Sequence, residues 1–499
     1  VDSIGKSTFS GCTSLTNLDL PSSVSTIGDN AFSSCKSLTN LVIPSRVTSI
    51  GASAFGACAG LTNLTVPAGV DSIGKSTFSG CTSLTNLDLP SSVSSIGDNA
   101  FSGCTSLTNL VVPSSVKSIG SYAFENCSKL SNLSIPSGVT HIGTGAFSWC
   151  KSLTSLIIPS SVKEIESYTF YECTSLTSLT IPSSVTSIGD WCFCNCGELK
   201  NLIIPSSVTY IGVYAFINCT GLTSLEIPSN ATIDNHAFYG CTGLTSLEFP
   251  SNVTIGDGAF GKCTGLTNLT IPSSAKNIGA FPFQDCSGLK NVNYLINGTI
   301  ESYLEEDHPS LYLDVDIKYY LNDKEITEPY IPLGVTAIGK NVFVGNAALT
   351  NLVIPSSVTS IGYYAFSACK NLNSLTIPSS VTDIKNGAFK DCSNLTSVYV
   401  NWTNFEDIDY SFGYDVFDGV DKSKCILYVP QGTKSYMQWW CSFENIVEYD
   451  PTGIDKVTIS SDAKELSRYS VNGQQLSAPT KGLNIVKYSD GSVKKVAVQ

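Results

Sequence analysis

The sequence predicts a solenoid of short, strand-dominated coils, and three observations carry that prediction. A cysteine returns every 23 residues, at Cys12, Cys35, Cys58, Cys81, Cys104, Cys127, Cys150, Cys173, Cys196 and Cys219. Two 22-residue steps lead on to Cys241 and Cys263, and the series resumes at Cys286, Cys369 and Cys392. Fixed slots around each cysteine repeat with it, which marks one structural unit copied many times. The composition agrees, with 14% charged residues against 42% hydrophobic ones in 499 positions, too apolar for a disordered chain. A unit this short cannot bury its own apolar face and must stack on its neighbours. Growth in one dimension then replaces the several separate cores that such a length would otherwise imply.

One unit runs from Cys12 to Phe32. Leu15, Leu18 and Leu20 have the spacing L-x-x-L-x-L, and the alternation around Leu18 and Leu20 is a strand signal. Pro21 ends that strand because it has no N–H to give to a ladder. Val24 and Ile27 mark a second short extended stretch, and Gly28 turns the chain. Ala31 and Phe32 bring it inward, and a short helical turn is expected to lead to the next Cys. Stacked copies place each strand about 4.8 Å from its equivalent, so the strands are parallel. The expected architecture is a leucine-rich-repeat solenoid, α/β in class, of about sixteen coils of 22–23 residues.

The slots resemble the leucine-rich repeats of the BspA-like group of bacterial surface proteins. The residues that carry the likeness are those of the phrase IPSSVTSIGxxAFxxCxxLTxL, as in Ile181 to Leu202. It covers nearly all of 1–292 and 333–400. Residues 1–45 recur almost unchanged at 70–114, an offset of 69 residues that suggests copying of a three-repeat block.

The register breaks at residues 293–332, which lack the Phe-Cys signature and read as an acidic, strand-containing insertion. Three repeats follow, the first with Asn346 in the Cys slot. Residues 401–452 leave the pattern and look like the C-terminal cap of this family, which covers a core and strand edges that the last repeat would otherwise expose. Residues 453–499 are strand-rich, from Arg468 to Gly473 and Lys481 to Tyr488. They are similar to the C-terminal sorting domains of type IX secretion substrates in Bacteroidetes, although shorter; the alternative is a small β-module completing the cap.

The net charge of −13 is unevenly placed. Residues 293–332 carry nine acids and two bases, residues 401–453 nine acids and three bases, and the rest sums to zero. A neutral stack offers no basic track for phosphate, which excludes nucleic acid as the expected partner. No run of about 18 apolar residues is present, so no transmembrane segment is expected. The chain opens at Val1 partway through a repeat and its one Met is Met437, as expected of a mature or trimmed product.

The residues offer little chemistry. In-register cysteines about 4.8 Å apart do not match the Cβ separation of a disulfide, near 3.8 Å, so the ladder reads as buried core thiols. Cys192, Cys194 and Cys196 fall in five residues, but Cys192 fills the Ala slot and Cys196 the ladder slot, and the spacing is not that of a zinc site. Cys425 and Cys441 lie outside the ladder and could pair in the cap. The three histidines, His141, His236 and His308, form no triad, the first two being roughly 19 Å apart at the strand spacing. Asp314, Asp316 and the acids from Asp415 to Asp421 lack the spacing of a calcium loop. Sequons such as those at Asn63 and Asn268 sit in the strand slot and read as by-products of the repeat. No enzyme activity, cofactor or metal is expected.

Two surfaces are the candidates for binding. The slot before Ala-Phe holds Asn30, Ser53, Ser76 and Asn99 in early repeats, then Tyr122, Gly145, Tyr168, Trp191, Tyr214 and His236. Close to it, Trp149, Tyr171 and Tyr239 join, with Tyr210 in the second-strand region. These rings form either a binding stripe or a filling between widening coils; exposed aromatic clusters are enriched in binding hot spots. The other surface is the outward slot of the main sheet, which reads Asp19, Val42, Thr65, Asp88, Val111, Ser134, Ile157, Thr180, Ile203, Glu226, Glu248 and Thr270. Val111, Ile157 and Ile203 would be apolar and outward there, beside a structural ladder of Asn and Ser. The resemblance implies a secreted or cell-surface protein, anchored at the outer membrane, that binds a protein ligand on host matrix or bacterial surface. The alternative is a glycan-binding surface whose aromatic stripe stacks on sugar rings.

Overall fold

The computed structural model describes residues 1–200, 202–272, 275, 277–295, 300–305, 318–321, 324–325, 331–332, 334–403, 413, 415–437, 442–449, 465–470, 475–478, 482–488 and 493–498. The chain is a strand-dominated parallel β-solenoid of about 17 turns with little helix. The turns fall into two compact units, one holding Val1–Val292 and the other most of the remaining chain.

In the first unit a coil opens with a front strand. Asn109–Val111 pairs in register with Asn132–Ser134 of the next coil, parallel, so that Leu110 faces Leu133. Leu110 is buried and Val111 stands 80% exposed, the alternation that a two-sided strand requires. A back strand of two residues follows, as at Ser118–Ile119, which pairs with Ser95–Ile96 before it and His141–Ile142 after it. Between them Val116 donates its N–H to the Pro113 carbonyl at 3.0 Å and closes the corner.

The third side of each coil differs from the expected helical turn. It is a chain of tight turns, closed by N–H groups of Ala31, Ser33 and Cys35 on the carbonyls of Gly28, Asn30 and Phe32 at 3.2, 3.1 and 3.1 Å. Asn30 and Ser34 sit at φ 55° and 64°, and such left-handed residues stop a right-handed helix from propagating. The alternate N–H groups point along the stack instead: Asn30, Phe32 and Ser34 donate to Ala52, Ala54 and Gly56 of the next coil at 2.9, 2.8 and 2.7 Å. This third ladder draws the coils so close that Gly51 admits no side chain, since a Cβ there would lie 2.4 Å from the Asp29 nitrogen.

The core repeats with the coil. Phenylalanine rings stack from Phe9 and Phe32, 5.2 Å apart, to Phe260 and Phe283, 5.8 Å apart, with one ring per coil. Those from Phe32 to Phe283 are fully buried. Beside them the cysteines form a hydrogen-bond ladder as well as a packing ladder. The Cys127 thiol donates to the Phe101 carbonyl and the Cys150 thiol to the Phe124 carbonyl, both at 3.2 Å. Burial pushes the Cys104, Cys150 and Cys241 thiols up to about 12. Every described cysteine is a free thiol.

The second unit repeats the design, with Phe343, Phe366, Phe389 and Phe417 stacked at 5.1, 5.2 and 5.4 Å. Asn346 in its Cys slot is buried. Its Oδ1 accepts the Ala348 N–H at 2.9 Å, while its Nδ2 has no partner among the described residues. Before this coil come a short helix, Ile300–Glu305, and an antiparallel pair, Lys318–Leu321 with Lys324–Glu325. At the far end the strands Ser374–Ile377, Ser397–Val400, Ile426–Pro430 and Asn445–Tyr449 continue the parallel front sheet. Cys425 is buried there with its thiol pushed up to about 12 by burial; Cys441, its suggested partner, lies outside the described residues. A separate antiparallel sheet closes the chain, with Gln475–Leu476, Glu465–Ser470, Gly482–Tyr488 and Val493–Val498 in that spatial order.

Candidate functional site

The slot before Ala-Phe is left-handed in every coil where the sequence expects the aromatic stripe. Tyr122, Tyr168, Trp191, Tyr214 and His236 sit at φ 56°, 60°, 57°, 56° and 55°, and Trp149, four residues on from the same slot of its coil, at 62°. Asn30, Ser53, Ser76 and Asn99 occupy the slot in early coils, equally left-handed at φ 54–55°, and Gly145 and Gly258 in others. Asn and Gly tolerate that conformation, whereas a bulky side chain pays about 1–3 kcal/mol for it. The geometry sends each side chain along the stack, over the next coil. A Cβ on Gly145 would lie 2.4 Å from the Tyr122 ring, so the glycine marks where that ring lies.

The rings therefore pack on one another. Tyr168 and Trp191 stack with centroids 6.3 Å apart and 3° between planes. Trp191 meets Tyr214 at 4.4 Å, and Tyr214 meets His236 at 5.0 Å. Tyr171 bridges Tyr168 and Trp149 at 5.8 Å to each, and Tyr239 meets His236 at 5.5 Å. A ridge of seven rings results, with most members half-buried and Tyr168 exposed. Each end carries a lysine over a ring face: Lys151 Nζ is 4.6 Å from the Trp149 centroid and Lys262 Nζ 5.5 Å from that of Tyr239. Glu172 runs alongside and accepts from Asn195 Nδ2 at 2.6 Å.

Not every expected residue joins. Tyr122 lies over Gly145, which has no ring to continue the row. Tyr210 stands on the back sheet, where its hydroxyl donates to Asp234 Oδ2 at 3.0 Å; burial, then that carboxylate, push it up to about 12. Val111, Ile157 and Ile203 stand apart on the front sheet, 80%, 72% and 74% exposed, and Val42 joins them in the same slot. Ser134 and Thr180 pair with Val111 and Ile157 in the intervening coils, so the apolar side chains alternate with small hydroxyls. The lysines at the ridge ends were missed by sequence reasoning. Their signal was the spacing from Trp149 to Lys151, which puts both on one tight turn.

Among the described residues the remaining titratable groups form no metal-holding cluster. His141 Nδ1 is 3.6 Å from Glu166 Oε1 at the surface, His236 is a member of the ridge, and His308 lies outside the described residues. Cys192, Cys194 and Cys196 are buried, and burial raises all three thiols, Cys194 to about 12. Protonated buried thiols are poor nucleophiles and poor ligands. Asp418 and Asp421 are tied to Lys390 and Lys424 at 2.9 and 2.7 Å, and Asp314 and Asp316 lie outside the described residues.

A stack of parallel coils with a long open surface is a leucine-rich-repeat solenoid, a fold that typically serves as a non-enzymatic scaffold. The chain belongs to the BspA type leucine rich repeat family, whose six-copy region matches residues 2–131, 117–244, 214–304 and 316–419. No curated protein matches it. Among solved structures it is similar to a leucine-rich repeat protein from Bacteroides ovatus, at 27% identity over 80% of this chain and 91% of that one, with a TM-score of 0.47. The T. pallidum leucine rich repeat protein is 32% identical over 32% of this chain and 78% of its own, with a TM-score of 0.31. A leucine rich cell surface protein from Faecalibacterium prausnitzii is 26% identical over 76% of this chain and 83% of its own, with a TM-score of 0.32. Among the described residues no helix is long and apolar enough to cross a membrane.

Proposed function

We propose that this is a secreted or cell-surface recognition protein that captures a protein partner, on host matrix or on another bacterium, through the ring ridge and the apolar slots of the front sheet. The observation that carries the reading is the run of aromatic side chains in a left-handed slot. Asn or Gly would sit there with little strain, as Asn30, Asn99, Gly145 and Gly258 do, so the rings spend stability that coil stacking does not require. Strain retained in this way points to function. The mode of packing favours a protein over a glycan on the ridge itself. A sugar platform needs free ring faces, whereas Trp191 has Tyr168 on one side and Tyr214 on the other and presents its edge.

The test uses Tyr168→Ala, Trp191→Ala and Tyr214→Ala on the ridge, with Ile157→Ser and Ile203→Ser on the sheet. Proteins captured from matrix extracts and from bacterial envelopes are identified and then titrated one by one. An aromatic anchor cut to Ala costs more than about 2 kcal/mol, roughly thirtyfold in affinity. If all five variants keep the parent's unfolding midpoint and bind each ligand as tightly as the parent, neither surface is the site.

We further infer that the antiparallel module after residue 453 directs export to the outer surface. Its support is that it departs from the solenoid in both composition and strand direction. Deleting 453–499 is expected to leave the coils folded and the protein inside its own cells. Undiminished surface display of the truncated chain would refute the sorting role.

A further inference from the structure

The ring ridge ends at Trp149, and the ending makes a second kind of site. Tyr171 meets the indole from the following coil, with 59° between the planes. In the two preceding coils the equivalent slot holds Asn126 and Gly103, so no ring continues the row on that side. There the surface opens into a groove of about 710 Å³, lined by Trp149 and Lys151 together with Gly103, Glu125, Asn126 and Ser128 of the two preceding coils.

We propose that this groove is a subsite for one neutral sugar ring, a hexose or an N-acetylated hexosamine. Such a ring has an apolar C–H face and a rim of hydroxyls, and it needs one flat aromatic wall with a few placed polar groups. The groove supplies both. Trp149 is the ridge's end ring. Glu125 Oε2 accepts from Ser102 Oγ at 3.0 Å, which orients the carboxylate and leaves Oε1 for a ligand hydroxyl. Asn126 follows in a left-handed conformation, φ 53°, and is exposed. Its amide offers a donor and an acceptor side by side. Lys151 Nζ, 4.6 Å from the Trp149 centroid, is exposed and free to swing to the rim, because a cation–π contact at the surface is weak. Glu125 and Lys151 cancel in charge, which favours a neutral ligand over a phosphate or an acidic sugar. This subsite does not rest on the protein-partner reading, and none of the five variants that test that reading touches it.

The experiment titrates the full chain, by calorimetry, with the methyl glycosides of glucose, galactose and mannose, with N-acetylglucosamine and N-acetylgalactosamine, and with short linear oligomers of each. At least one is expected to bind saturably. Affinity is expected to fall about tenfold or more in Trp149→Ala and in Glu125→Gln and to stay unchanged in Trp191→Ala. Should Trp149→Ala lower the unfolding midpoint, Glu125→Gln, a surface change, decides. Absence of saturable binding across the set, or equal binding by parent and Glu125→Gln, overturns the proposal. So does a preference for sulfated or uronic sugars that is lost in Lys151→Met, which would make the groove an anion site.

Discussion

Raising the pH above about 9 is expected to unfold the first unit steeply while mildly acidic buffer leaves it intact. The thiols of Cys104, Cys150 and Cys241 are held at about 12 against an ordinary value of 9.0, in each case first by burial. The sign follows from linkage. Below pH 9 both folded and unfolded chains keep these protons, and the stabilisation is fully present. Between about 9 and 12 the unfolded chain loses them and the folded chain does not, so stability falls as pH rises. Each thiol contributes about 1.4 kcal/mol per pH unit, so these three alone give a slope of about 4 kcal/mol per unit. Cys81, Cys127, Cys173, Cys196 and Cys219 are raised in the same direction and steepen it. Circular dichroism and thiolate absorbance, followed together through an alkaline titration in reducing buffer, are expected to change in one step. Thiolate appearing near pH 9 from cysteines other than the exposed Cys12, with the fold unchanged, would mean that the buried ladder is accessible to water.

The second large effect belongs to the phenylalanine stack. Phe124→Ala empties a fully buried position between Phe101 and Phe147, whose rings lie 5.3 and 5.6 Å away. Loss of the ring and the cavity it leaves cost about 3–5 kcal/mol. Because each coil leans only on its neighbours, the damage is expected to lower the barrier to local opening around that coil before the whole unit melts. Hydrogen exchange is expected to rise first in the adjacent coils, and the urea midpoint to drop. Tyr122→Asn, two residues earlier, puts back a residue type of the early coils that tolerates the left-handed slot and is expected to raise stability by about 1 kcal/mol. Equal shifts for the two substitutions would contradict a core made of stacked rings.

Much of this fold was legible in the residues because the period makes every coil meet a copy of itself. Once Leu18 and Leu20 point inward, so must Leu41 and Ile43, and a Phe or Cys that recurs every 23 residues has to lie on its own image. The parallel ladders, the buried free thiols and the outward slot of Val111, Ile157 and Ile203 all follow from that one constraint. The third side was misread as helical, because Ala-Phe followed by Cys suits a helical turn and nothing in the letters gives the sign of φ. Only the tertiary structure decided that Asn30 and Tyr168 share a left-handed slot, since the close approach of neighbouring backbones imposes it. That in turn decided which aromatic side chains touch. Tyr168, Trp191 and Tyr214 shield one another's faces, Tyr122 is set apart by Gly145, Tyr210 is drawn to Asp234, and Trp149 alone ends the row beside a polar groove. Repetition along the chain determines which residues are stacked; the handedness of a single backbone slot determines which way they lean.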